Sequence, residues 1–82
     1  MYLHIGDNLS IPMNSIITMI HVDSGKSHRT GISYYDAEVI NVVPEDKIKT
    51  YIVTDDCVYA SGISLKTLKK RIDEFYSILK NK

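Results

Sequence analysis

KTYIVTDDCVYASGISLKTLKKRIDEFYSIL, Lys49 to Leu79, contains a change of period that decides the fold class. From Lys49 to Thr54, Tyr51 and Val53 alternate with Thr50, Ile52 and Thr54. After Asp55-Asp56, Cys57 and Tyr59 alternate with Val58 and Ala60 up to Ser61. Period 2 on either side of a short polar pair predicts an antiparallel hairpin whose two faces differ in character. Beyond Gly62 the period lengthens. Leu65, Leu68, Ile72, Phe75 and Leu79 recur at spacings of three and four, which puts all five on one helical stripe.

Ser64 is the N-cap candidate of that helix, since its hydroxyl can accept a backbone N–H that would otherwise go unpaired. The polar side carries Lys66, Lys69, Lys70, Asp73, Glu74 and Lys80. Three lysines therefore fall in the first two turns, where the helix dipole disfavours cations by roughly 0.3–1 kcal/mol. Helix stability alone would place acids there. Lysines converging on free N–H groups suit a bound anion. The competing reading is a solvated charged face.

At 82 residues the chain makes one small domain, burying only about 60–65% of its unfolded surface. A core that thin makes self-association a natural source of stability. Hydrophobic residues are 44% of the total, which excludes a disordered chain. Ten basic residues balance ten acidic ones, which argues against a general nucleic-acid coat but leaves room for a local basic patch. The single cysteine, Cys57, allows no intrachain disulfide and reads as a small packed hydrophobe. The chain has no apolar run of membrane-spanning length. Its first residues do not resemble a signal peptide. We expect a cytoplasmic protein.

Taken in order, Met1 to Ile5 predicts a first strand. Gly6-Asp7-Asn8 follows as a turn, then Leu9 to Pro12 as a short second strand that proline confines to an edge. Ile16 to Val22 predicts a third strand and Glu38 to Val43 a fourth, the latter closed by Pro44-Glu45-Asp46. Between them, Lys26 to Ala37 reads either as a loop or as a short helix over Thr30 to Ala37 capped by Ser27. We take the helix, although Gly31 weakens it by about 1 kcal/mol. The fold class is α+β: five to six short strands in mostly antiparallel sheets, one short middle helix, and a C-terminal amphipathic helix.

Sites for chemistry are few. His4, His21 and His28 have no metal-ligand spacing, and we expect neither metal nor cofactor. Asp55-Asp56 between two strands reads as a turn rather than a catalytic carboxylate pair. Tyr34 and Tyr35, near Lys26, His28 and Arg29, mix aromatic and basic residues as single-strand binders do, but tyrosines on a short helix more often pack. No glycine-rich phosphate loop or nucleophile motif occurs, and we read the chain as no enzyme.

Three stretches together carry a resemblance. MYLHIGDN opens the chain, SIPMNSIITMI spans Ser10 to Ile20, and YIVTDDCVYASGISLKTLKKRI spans Tyr51 to Ile72. They resemble the extracellular-matrix regulatory protein family (RemA/RemB) and are most similar to its RemB-like branch. The similarity covers Met1 to Asp23 and Thr50 to Ile72, while Ser24 to Lys49 matches poorly. It implies a small α+β protein assembling into ring-like homo-oligomers. RemA-like members bind DNA and activate biofilm-matrix genes. In those members an arginine in the turn before the long N-terminal strand contacts DNA, as do arginines ahead of the first hairpin strand. Here Ser15 stands at the first position, and Asp46, Lys47 and Lys49 at the second. Lysine supplies phosphate charge without arginine's bidentate fork, so backbone contact is what carries over.

The expectation is a homo-oligomeric regulator that holds double-stranded DNA on Lys47, Lys49, Lys66, Lys69 and Lys70. Phe75, Tyr76 and Leu79 extend the helical stripe beyond what a thin core needs, and we expect them to pack on a neighbouring chain. The alternative is an oligomeric scaffold or protein-interaction module without DNA binding. A third class, a ligand-sensing pocket, would have to assemble His4, His21 and Asp56.

Overall fold

The computed structural model describes residues 1–22 and 38–80, the last without its side chain. The middle helix expected over Thr30 to Ala37, with its neighbouring tyrosines and basic residues, lies outside the described residues. The elements are β1 (Tyr2–Gly6), β2 (Leu9–Pro12), a 3₁₀ turn (Met13–Ser15), β3 (Ile16–His21), β4 (Val39–Asn41), a second 3₁₀ turn (Glu45–Lys47), β5 (Thr50–Thr54), β6 (Val58–Ser61) and α1 (Leu65–Lys80). The fold is α+β with two sheets, mostly antiparallel. Among the described residues, no helix is long and apolar enough to cross a membrane.

β1 and β2 form a two-stranded hairpin, pairing Tyr2 with Pro12, Leu3 with Ile11 and His4 with Ser10. Its loop turns through left-handed backbone at Asp7 (φ 46°) and Asn8 (φ 64°), residues whose short side chains tolerate that region. Gly6 sits at φ 121°, at a register shift that a side chain would strain.

The larger sheet has the order β3-β5-β6-β4. β3, β5 and β6 are antiparallel neighbours, and β4 runs parallel to β6, with Val39 opposite Val58 and Asn41 opposite Ala60. The fourth strand is thus shorter than Glu38 to Val43. Val42 leaves the ladder after donating its N–H to Ala60 O (2.9 Å), and packs with the β1–β2 side of the core.

β5 corrects the simple two-faced reading of the hairpin, because every residue from Thr50 to Thr54 is buried. On one face Tyr51 and Val53 pack with Val22, Ile48, Val58 and Ala60. On the other, Ile52 meets Leu3, Ile5, Ile11 and Leu68, so the β1–β2 hairpin and α1 cover that face. Each such side chain stabilises the fold by about 1.5–3 kcal/mol on burial. The buried hydroxyls are all partnered: Thr50 Oγ1 donates to Ile63 O (2.8 Å), Thr54 Oγ1 to Cys57 O (2.7 Å) and Ser61 Oγ to Ile5 O (2.6 Å).

Candidate nucleic-acid interface

The start of α1 is held from three directions. Ser64 caps it as expected: Thr67 N–H donates to Ser64 Oγ (3.2 Å), and Ser64 Oγ donates to Thr67 Oγ1 (2.9 Å). Leu68, fully buried, pins the first turn to the core. Ser61 Oγ accepts from Ile63 N–H (3.1 Å) while donating to Ile5 O, so one hydroxyl ties the helix entrance to β1. With Leu68 turned inward, Lys66, Lys69 and Lys70 stand exposed on the first two turns.

Lys47 and Lys49 lie on a separate segment, just before β5. They flank Ile48, whose burial turns both lysines outward. Lys47 closes the second 3₁₀ turn by donating its N–H to Pro44 O (2.8 Å), and Lys49 N–H donates to Ser61 O (2.8 Å). Gly62 lets the two segments approach. A Cβ on it would stand 3.1 Å from Val43 Cγ1 and 3.4 Å from Lys47 O. The structure therefore sets the backbone of the Lys47–Lys49 turn beside the entrance to the lysine-bearing helix.

The charge there is mixed. Lys66, Lys69 and Lys70 share one open face of α1 with Asp73, Glu74 and Ser77, so acids adjoin the lysines further along the helix. Glu45 and Asp46 precede Lys47 in the turn. Arg71, part of the same basic run, faces elsewhere: its Nη1 donates to His4 O on β1 (3.1 Å) and lies 3.5 Å from His4 Nδ1. Sequence spacing could not show that contact, which joins residues 67 positions apart.

Ser15 lies at the opposite end of β5 from Lys49. It ends the first 3₁₀ turn, donates its hydroxyl to Pro12 O (2.7 Å) and accepts Asp55 N–H on its carbonyl (3.2 Å). Five strand residues separate the two ends, about 17 Å. Within one chain the two positions named by the resemblance do not meet.

His4, His21 and Asp56 are also kept apart. His21 pairs with Thr50 at the start of β5, Asp56 follows its end, and His4 belongs to the other sheet. Among the described residues, no group of three His, Cys, Asp or Glu side chains could hold a metal ion. Cys57 is buried as a free thiol. Its hydrogen bond with Tyr59 raises the Tyr59 hydroxyl above its ordinary value, with burial adding to the effect.

The apolar stripe of α1 divides along its length. Leu68 is fully buried and Ile72 and Phe75 are half-buried, whereas Tyr76 and Leu79 are exposed. Phe75 and Tyr76 stack edge to face, with ring centroids 6.2 Å apart. Ile78, off the stripe and missed by the spacing, is exposed as well.

A family model, RemA-like (extracellular matrix regulatory protein A-like), matches residues 2–72. The match starts at β1 and ends in the middle of α1. It runs through the segment from Ser24 to Lys49 that the quoted stretches left out, and it does not resolve the RemB-like branch. No curated protein matches the chain.

Proposed function

The chain belongs to the RemA-like family of extracellular matrix regulatory proteins, and we propose that it is a cytoplasmic, DNA-associated regulator of matrix genes that acts as a homo-oligomer. Lys47, Lys49, Lys66, Lys69 and Lys70 contact duplex phosphates, and each further copy repeats the basic surface. The observation that supports this reading is the junction of the Lys47–Lys49 turn with the start of α1, through Lys49 N–H on Ser61 O at 2.8 Å. Lysines hold phosphate as point charges, so the contact follows the backbone with little sequence preference. The protein needs no catalytic step or cofactor for this role.

Charge reversal tests it. Lys69→Glu with Lys70→Glu is expected to abolish duplex binding in fluorescence anisotropy while the mass in light scattering stays that of the unaltered protein. Ser15 and the acids Glu45, Asp46, Asp73 and Glu74 favour a second reading, an oligomeric scaffold whose partner is another protein. Under that reading the unaltered chain does not bind duplex even at about 50 mM salt, where phosphate contacts are strongest.

A further inference from the structure

The apolar hold on α1 is narrow. Leu68 is fully buried, while Leu65, Ile72 and Phe75 are half-buried. Apolar packing is non-directional, so a single stripe keeps the helix on the sheet better than it keeps the helix from rolling about its own axis. Roll matters for the lysine face. Side chains reach about 5–6 Å from the helix axis, and a roll of about 20° carries them about 2 Å. That shift is most of the length of a hydrogen bond, about 2.7–3.2 Å.

Directional bonds limit roll, and two of them end on neighbouring carbonyls of β1. At the helix entrance Ser61 Oγ donates to Ile5 O (2.6 Å) and accepts from Ile63 N–H (3.1 Å). About two turns further on, Arg71 Nη1 donates to His4 O (3.1 Å). His4 Nδ1 lies 3.5 Å from the same Nη1. A guanidinium only donates, so that ring nitrogen takes part only as an acceptor, with the ring proton on Nε2. Arg71 follows Leu68 by three positions and stands about 60° round the helix from it, at the margin of the buried stripe. A bond at that margin has leverage against roll that Leu68 lacks.

We infer that Arg71 is a positioning residue for the lysine site: its bond to β1 sets the roll of α1, and with it the direction in which Lys66, Lys69 and Lys70 face. The inference rests on the proposed function for what those lysines hold, and it separates Arg71 from them. Arg71 continues the basic run Lys69-Lys70 in sequence, but its guanidinium is engaged on β1 and makes no phosphate contact.

Duplex affinity as a function of salt tests this, on variants whose fold circular dichroism verifies. Arg71→Ala is expected to weaken binding roughly 3- to 10-fold, the scale of one hydrogen bond. The slope of log affinity on log salt should stay that of the unaltered protein. Arg71→Lys keeps the charge without the planar fork and should weaken binding as well. A slope reduced by about one in Arg71→Ala contradicts the inference, since that marks a lost phosphate contact. Full affinity in Arg71→Lys contradicts it too, because charge alone then suffices. A lower Tm with unchanged affinity contradicts positioning and leaves a purely structural contact. Residual dipolar couplings of the α1 amides test the roll without DNA, since the phase of their variation along a helix reports its rotation. Arg71→Ala should shift or blur that phase, and an identical phase overturns the inference whatever the duplex does. An unaltered protein that does not bind duplex at about 50 mM salt removes the proposed function, and the couplings then decide the hold of Arg71 on α1 by themselves.

Discussion

Thr50, Thr54 and Ser61 are polar residues in the most buried strands; the hydroxyls of Thr50 and Ser61 hold the entrance to α1, and that of Thr54 holds the turn after β5. Ser61 is the most consequential, joining Ile5 O, Ile63 N–H and, through its carbonyl, Lys49 N–H. Ser61→Ala leaves the Ile63 N–H and Ile5 O without that partner, and we expect a loss of about 1–3 kcal/mol in urea unfolding. The loss should come with weaker DNA binding, because the helix entrance loses its hydroxyl tie to β1. Tyr59 predicts a pH effect of definite sign. Its folded pKa is raised, so its contribution is fully present below the unfolded value of about 10 and is lost as pH rises through the folded value. Tyr59→Phe should therefore flatten the fall in stability above about pH 10, as followed by circular dichroism.

At the scale of elements, the two halves of α1 differ: lysines stand on the first, and exposed apolar residues mark the second. The first half trades helix stability for charge, and that trade gives opposite signs for one substitution. Lys66→Glu replaces a cation in the first turn by an anion. It should raise stability by about 0.3–1 kcal/mol at low ionic strength while weakening duplex binding. A lysine that merely solvates the surface would show the stability gain alone. Much of this was legible before the structure. The switch from period 2 to spacings of three and four located β5, β6 and α1, and Ser64 marked the cap. β4 was legible as a strand but not as a parallel partner of β6, since no local turn specifies that register. Thr50 and Thr54 hid the double burial of β5, because the sequence gives no sign that their hydroxyls reach backbone carbonyls. The contact of Arg71 with His4 joins positions 67 apart, which no local spacing could show.

Across the whole molecule, two surfaces lie at opposite ends of one 16-residue helix: lysines at its start, an apolar ridge at its finish. About 15 Å of helix separates Lys69 from Leu79. Under the proposed function, a chain of zero net charge would engage a polyanion through local charge that each further copy multiplies. The most direct test is duplex affinity measured as a salt series. Five lysines on phosphates give a log–log slope near −4.5 per chain, so raising salt from about 50 to 200 mM should weaken binding on the order of 10²–10³-fold. Duplex binding with that slope, reduced by about one for each lysine removed, is the predicted result. No binding at the lowest salt, or an affinity indifferent to salt, would contradict the account.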